Sequence, residues 1–372
     1  MNSLRIIASR LAVPLDAVLI RPVSESQRQV SELDTLLRGH QYERAVQQGA
    51  EILKDANAPS IIALVHQYVG HALIRLARPR EALQRLGIAR ELFESLGDSG
   101  RVVETMELQA KGLHMAEDPT ALDVAQWGLD LCRSLDPRPA EIESRLLERM
   151  GTILAGAGDA AGARSYYEQA LEAAGTVRDL AQVARIYHGL GFCYLKVEDL
   201  GRAIELVLKA ETLYEAQLRI SEAPPNTNLP RVESDLGVLF MEQGDLGRAE
   251  QRFQSAIKRY AELGVERLRS HALLSLGELR HRQGRYSEGL ELVEEALGLA
   301  QRFSETRALG EGYKQLGELH AAQGDVDRAV SDFQRALAIL EEAGLEAHRV
   351  DCLRAYERAL SKRYRAERAA GA

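Results

Sequence analysis

A recurring pattern of small and bulky apolar residues along the chain predicts pairs of helices. It is clearest in residues 309–344, where Leu316-Gly317 lies midway along one helix-periodic stretch and Phe333 lies on the apolar face of the next. Apolar residues three or four positions apart share one face of a helix. Gly324 separates the two stretches, so this segment is predicted to form a helix, a turn and a second helix.

The pattern returns along most of the chain. Pairs equivalent to Leu316-Gly317 are Val69-Gly70, Met150-Gly151, Leu190-Gly191, Leu236-Gly237 and Leu276-Gly277. The interval is 40 residues from Gly237 to Gly277 and again from Gly277 to Gly317, and it widens to 46 before Gly237. A period of this size indicates internal repeats, each a helix pair that buries its apolar face against its neighbours.

The repeat resembles the tetratricopeptide repeat family, in which small residues let neighbouring helices approach closely. The two small positions of the second helix hold Ala163, Ala203, Ala249, Gly289 and Ala329, and then Ala170, Ala210, Ala256, Ala296 and Ala336. The resemblance covers residues 25–345 and implies an all-α fold, a right-handed α-solenoid of about eight helix pairs with terminal capping helices. The period exceeds the usual value of about 34 residues and is similar to the extended repeats of bacterial regulators.

Breaks in the pattern predict the domain organisation. Residues 24–220 form one repeat half and residues 232–346 the other, with a proline-rich linker at 221–231 between them and a basic capping helix at 347–372. The linker is either a hinge or contact loop, or a surface insertion of the kind that loops tolerate at small cost.

Residues 1–23 do not fit the repeat. Their sequence resembles the last two helices of an XRE-type helix-turn-helix domain, and a pair of capping helices is the alternative. The helices that enter the DNA groove normally precede this part of such a domain, so no residue of the chain is assigned a direct DNA contact.

Charge and composition narrow the class of protein. The 372 residues carry a net charge of −8, which argues against non-specific nucleic-acid binding. Cys132, Cys193 and Cys352 lie far apart and show neither a disulfide framework nor a zinc-binding spacing. No apolar run reaches the length of about 18 residues that a membrane span requires, so we expect a cytoplasmic protein without a membrane partner.

The sequence contains none of the common catalytic signatures. A phosphate-binding loop, a zinc-protease motif, a nucleophile elbow and a dinucleotide-binding glycine set are all missing from it. We therefore expect no enzymatic activity, no cofactor and no metal site.

The family resemblance implies that side chains of the first helices line an inner groove. The positions carried over are Gln67, His71, Arg145, Glu148, Arg185, His188, Phe192, Lys196, Arg231, Val238, Met241, His271, Leu274, Glu278, His281 and Lys314. The middle of this groove is basic. Its C-terminal end, where Glu311 and Glu318 also lie, is acidic. Such a groove suits an extended peptide or a partner helix.

Two functions follow from the resemblance. The first is the sensor part of a cytoplasmic transcriptional regulator that binds a signalling peptide in the groove. The second is a scaffold or adaptor that docks one protein partner without a small effector. Receptors of the first kind hold the peptide backbone with groove asparagines, whereas the four asparagines here lie outside the groove positions. The terminal helices are candidate contacts of a homodimer.

Overall fold

The protein is described here by a computed structural model that covers residues 25–176, 179–220 and 227–370. The described residues form seventeen α-helices and no strand. The predicted N-terminal segment 1–23 lies outside the described residues. The all-α fold predicted from the repeat is confirmed.

The helices follow one another along the chain as the repeat predicts. Those of the N-terminal repeats are α1 (Glu25–Arg38), α2 (Tyr42–Asp55), α3 (Pro59–Arg75), α4 (Pro79–Ser95), α5 (Ser99–Met115), α6 (Ala121–Ser134), α7 (Ala140–Gly156) and α8 (Ala160–Ala173). The remaining helices are α9 (Leu180–Lys196), α10 (Leu200–Ile220), α11 (Asn228–Gln243), α12 (Leu246–Glu262), α13 (Glu266–Arg282), α14 (Tyr286–Arg302), α15 (Thr306–Gln323), α16 (Val326–Glu342) and α17 (Glu346–Ala370).

The chain divides into two compact units. Unit 1 comprises Met1–Ile153 and Glu172–Val177, and unit 2 comprises Leu154–Leu171 and Arg178–Ala372. Within unit 1, α3 packs against α4 and α5; within unit 2, α13 packs against α12, α14 and α15. Each unit is therefore a stack of helix pairs in sequence order, as the repeat predicts. The division into two halves at residues 221–231 stays a prediction.

Helix α11 begins inside the range predicted as a linker. It starts at Asn228, and its first turn contains Leu229 and Pro230, both of which are buried. Proline is accepted in the first turn of a helix because its missing N–H has no partner there in any case. Residues 228–231 of the predicted linker thus belong to α11, and residues 221–226 lie outside the described residues.

Glycines of the first helices allow close packing against the second helices. A Cβ atom added at Gly237 would lie 2.6 Å from the Phe253 ring, and one added at Gly277 would lie 2.7 Å from Val293. Ala256 of the second helix is fully buried. The small positions recognised in the sequence are thus the points where helices approach most closely.

The turns inside the repeats share one backbone geometry. Gly158, Gly244 and Gly324 adopt φ of 87°, 87° and 85°, the left-handed conformation that ends a helix. Ala77, with φ of 57°, and Glu198, with φ of 62°, adopt the same conformation at the corresponding turns of other repeats, and Ser304, with φ of 54°, adopts it in the turn between α14 and α15.

An aspartate follows each of those three glycines and caps the next helix. The Oδ1 atoms of Asp159, Asp245 and Asp325 accept hydrogen bonds from the backbone N–H three residues ahead, at 2.8, 3.0 and 3.2 Å. The side chain of the aspartate thus satisfies a backbone N–H that the first turn of the helix leaves unpaired.

A buried arginine joins three helices of unit 2. Arg280 on α13 is only 4% exposed, and its Nη2 lies 2.7 Å from Oε1 of Glu250 on α12. Its Nε lies 3.2 Å from a carboxylate oxygen of Glu288 on α14. The hydrogen bond from Arg280, helped by Gln283, lowers the pKa of Glu250 to about 2. The pair therefore favours the folded state while Glu250 is ionised.

None of the described helices has the combination of length and apolar character that a bilayer crossing needs.

Replacing Gly237 by alanine should destabilise unit 2, because the new Cβ would overlap the Phe253 ring. Overpacking of a core costs about 1–3 kcal/mol. Gly298, inside α14, has no atom within 4 Å of an added Cβ. There we expect Gly298→Ala to stabilise by about 0.5–1 kcal/mol through helix propensity. Urea unfolding followed by circular dichroism measures both, and equal shifts would contradict the packing argument.

Replacing Glu250 by glutamine should remove a pH-dependent part of the stability. Because the pKa of Glu250 is lowered from 4.5 to about 2, its stabilisation is complete above the first value and is lost as pH falls toward the second. We expect Glu250→Gln to cost about 1–3 kcal/mol at pH 7, since Arg280 loses a charged partner, and less at low pH.

The control is Glu262→Gln, because Glu262 forms only an exposed pair with Lys258 at 3.9 Å. Surface changes of this kind alter stability by no more than about 0.5 kcal/mol. Unfolding curves at pH 7 and pH 3 provide the comparison. An equal effect of Glu250→Gln at both pH values would show that the ion pair does not contribute as described.

Candidate functional site

A cavity of about 610 Å³ lies within unit 2. Its wall is built mainly by the first helices of three successive repeats, α11, α13 and α15. Two further helices each contribute one residue to the lining, Tyr260 from α12 and His348 from α17. The remaining residues of the wall are Arg231, Ser234, Asp235, Val238, Met241, Leu268, His271, Ala272, Leu274, Ser275, Glu278, Arg307, Ala308, Glu311 and Gln315.

Equivalent positions of successive repeats meet in this wall. Arg231, His271 and Glu311 occupy one repeat position at intervals of 40 residues, and all three line the cavity. A second position contributes Asp235, Ser275 and Gln315. The repeat therefore places side chains of different chemistry side by side. The apolar part of the lining is supplied by Val238, Met241, Leu268, Ala272 and Leu274.

One part of the lining carries arginines. Arg231 and Arg307 are both exposed, so their guanidinium groups can meet a ligand in water. Burial lowers the pKa of the His271 imidazole, and the charge of Arg307 lowers it further. Burial also raises the pKa of Tyr260 to about 12, with Asp235 adding to the effect and Arg231 opposing it.

A histidine of the preceding repeat reaches this wall. Nε2 of His188 on α9 lies 2.7 Å from Oδ2 of Asp235 on α11. Asp235 lines the cavity, so this contact connects His188 to the cavity wall. The arrangement places a carboxylate between His188 and the cavity.

The acidic part of the site surrounds a lysine. Nζ of Lys314 lies 2.9 Å from Oε1 of Glu311 and 2.7 Å from Oδ2 of Asp351. Although burial lowers the pKa of Lys314, these carboxylates hold it above its ordinary value. Burial raises the pKa of Glu318 to about 7; Lys314 opposes the increase, and Glu278 and Glu311 add to it.

One residue of this wall has a buried amide oxygen without a hydrogen-bond partner among the described residues. Gln315 lines the wall and is 6% exposed, and its Oε1 has no hydrogen-bond partner among the described residues. Its Nε2 donates to Glu311 at 3.5 Å. An unpaired buried acceptor costs free energy.

The predicted groove residues of unit 2 are only partly brought together. The cavity lining contains Arg231, Val238, Met241, His271, Leu274 and Glu278. His281 and Lys314 lie outside the lining on the same helices, and Arg185, His188, Phe192 and Lys196 lie on α9. Phe192 is 42% exposed, with Nζ of Lys196 5.1 Å from its ring centre. A role of the α9 residues in binding stays a prediction.

The predicted groove residues of unit 1 make internal contacts. Gln67 is 2% exposed and donates through Nε2 to Oγ1 of Thr105 at 3.0 Å. Burial is the main reason that the pKa of His71 is lowered to about 4, and the charge of Lys111 contributes to this decrease. The remaining two are Arg145, which pairs with Glu141 at 3.2 Å, and Glu148, which is buried. Their part in ligand binding also stays a prediction.

Several residues of the cavity wall were not anticipated from the sequence. Asp235, Ser275 and Gln315 could have been found, because they share one position of the 40-residue repeat. Tyr260 belongs to a second helix and His348 to the helix after the last repeat. For those two no periodic signal exists.

The comparison with known families agrees with this architecture. A family model described as "Tetratricopeptide repeat" matches residues 143–216 and 268–342. These two segments are tetratricopeptide repeats. No curated protein sequence matched the chain.

Solved structures with the tetratricopeptide arrangement resemble nearly the whole chain. The apo form of the quorum sensor NprR from B. thuringiensis is 14% identical, with a TM-score of 0.68 over 91% of this chain and 96% of that one. The Rap conjugation gene regulator of plasmid pLS20, solved in complex with the Phr* peptide, is 14% identical, with a TM-score of 0.58 over 85% and 95%.

A third similar structure is that of a protein named as an enzyme. Aspartyl phosphate phosphatase F from Bacillus subtilis is 15% identical, with a TM-score of 0.53 over 92% of this chain and 82% of that one. At these identities the likeness extends to the fold of the tetratricopeptide repeats, and the function has to be argued from the site.

The buried contacts of Gln67 predict a structural effect in unit 1. Gln67→Ala leaves Thr105 Oγ1 without its donor and should cost about 1–3 kcal/mol. Gln47→Ala, at an exposed position of α2, should change stability by less than about 0.5 kcal/mol. Thermal unfolding of the two variants tests this, and similar melting temperatures would contradict it.

Proposed function

We propose that the protein binds a peptide, or an extended segment of a partner protein, in the cavity of unit 2. In this proposal it is the sensor part of a cytoplasmic transcriptional regulator and catalyses no reaction. The observation that carries the proposal is the composition of the cavity wall. It combines apolar side chains, exposed arginines, carboxylates and one unpaired amide oxygen.

A peptide matches each part of that wall. Its apolar side chains can pack against Val238 and Leu274, and its backbone N–H groups can donate to Oε1 of Gln315 once that buried amide turns toward the cavity. A carboxylate of the peptide can pair with Arg231 or Arg307, which are exposed at the lining. Arginine binds carboxylates with two parallel hydrogen bonds, which gives orientation as well as affinity.

The solved structures support binding without deciding it. One similar protein is named a gene regulator and was solved with a peptide, and another is named a quorum sensor. A third is named a phosphatase, so the fold hosts more than one activity. We favour binding because the wall offers charged, apolar and amide contacts for a chain-like ligand, and the sequence carries no familiar catalytic signature.

A displayed library of random heptapeptides tests the proposal. We expect the full chain to enrich sequences with a shared acidic position, and a peptide from that set to bind the wild type with a measurable Kd in fluorescence anisotropy. Arg231→Glu should weaken that peptide about tenfold or more, because a charged hydrogen bond contributes about 1.5–3 kcal/mol and each 1.4 kcal/mol is tenfold.

The matched control is Lys258→Glu, which changes the net charge equally at an exposed position of α12 outside the lining. Its Kd should equal that of the wild type. An absence of consensus, or equal Kd values for Arg231→Glu and wild type, would reject the cavity as the binding site. Small-angle scattering separates the two functions: a sensor should change its radius of gyration on saturation, whereas an adaptor should not.

A further inference from the structure

We infer that Glu278, His281 and Glu318 form a binding site for a divalent transition metal, with Zn²⁺ as the expected ion. Each of the three side chains offers one ligand atom, and these atoms all lie within 4.8 Å of one another. All three residues are half-buried, so the group is shielded from bulk water and still open to an ion. From the sequence we expected no metal site, and the placement of these three side chains argues against that expectation.

The fold brings these residues together in two ways. Glu278 and His281 are three residues apart on α13, and that spacing places two side chains on the same helix face. Glu318 occupies, on α15, the repeat position that Glu278 occupies on α13, 40 residues earlier. Helices α13 and α15 pack against each other, so the third ligand faces the first two.

The chemistry of the group matches a metal of intermediate softness. An imidazole nitrogen and carboxylate oxygens bind Zn²⁺ at about 2.0–2.2 Å, and ligands of one tetrahedral ion then lie about 3.4 Å apart. The observed separations need only small side-chain adjustments to reach that value. Three protein ligands leave a coordination position for water or another ligand, as in zinc sites that act on a bound molecule.

Three cationic side chains lie beside the group. Nε of Arg282 is 2.9 Å from Oε1 of Glu278, and Nη2 of Arg358 is 3.9 Å from Oε1 of Glu318. A carboxylate has two oxygens, so Glu278 can keep Arg282 on one and offer the other. The Arg358 side chain is 71% exposed and can move into water. The third, Lys314, is held by Glu311 and Asp351.

The site is distinct from the peptide contacts of the cavity but adjoins them. Glu278 belongs to both, whereas His281 and Glu318 do not line the cavity. An ion held by the three residues would therefore lie at the cavity edge. The inference stands on these three side chains and is independent of the proposed peptide binding.

Isothermal titration of the full chain with Zn²⁺, after removal of metal with a chelator, tests the inference. We expect one ion per chain, and visible absorption bands when Co²⁺ replaces Zn²⁺. His281→Ala and Glu318→Gln should each weaken Zn²⁺ binding by about 10- to 100-fold or more, at least the loss seen on changing residues that support a metal ligand. Mg²⁺ should bind far more weakly, because it prefers oxygen ligands and keeps its water.

The matched control is His271→Ala, the same substitution ten residues earlier on the same helix and outside the group. It should leave the Zn²⁺ affinity unchanged, whereas His281→Ala should weaken it. No Zn²⁺ binding, an equal loss in His271→Ala, or no loss in either site variant would overturn the inference. Circular dichroism of each variant checks that it folds, and Glu318→Gln gives the answer if His281→Ala does not.

Discussion

The fold depends on one packing constraint, which is that a glycine in the first helix of several repeats lies very close to a bulky side chain of the second helix. Gly191 meets Val207, Gly237 meets Phe253, and Gly317 meets Phe333, in each case at a distance that leaves no room for a Cβ atom. Because the missing Cβ sets how near the two helices can come, successive repeats have the same internal geometry. Equal geometry in turn fixes where every other side chain of the repeat is placed.

The candidate site follows from that regularity. Arg231, His271 and Glu311 occupy the same place in three consecutive repeats, so the wall of the cavity changes from cation to imidazole to carboxylate over three helices. In many compact folds the functional residues lie on loops that differ in conformation from one another. Here one repeat position carries a different side chain in each repeat, and in the proposed function the selectivity for a ligand would depend on that series.

The sequence predicted the helix pairs and the turn at Gly324 well, because each rests on local periodicity or on a single backbone conformation. It predicted the site less completely. The 40-residue interval shows that Glu278 and Glu318 are equivalent, but whether their carboxylates converge on His281 depends on rotamers and on the crossing of α13 and α15. Tyr260 and His348 enter the cavity from helices that the groove pattern does not include.

The turns that lack glycine have a practical consequence for thermostability. Ala77, Glu198 and Ser304 are held in the left-handed conformation that glycine occupies at other turns of the chain. A side chain in that conformation carries strain of about 1–2 kcal/mol, and none of the three residues lines the cavity. The turns that contain glycine therefore indicate how to engineer the others. Glycine at these three positions would give a more heat-resistant protein in which the cavity wall is unchanged.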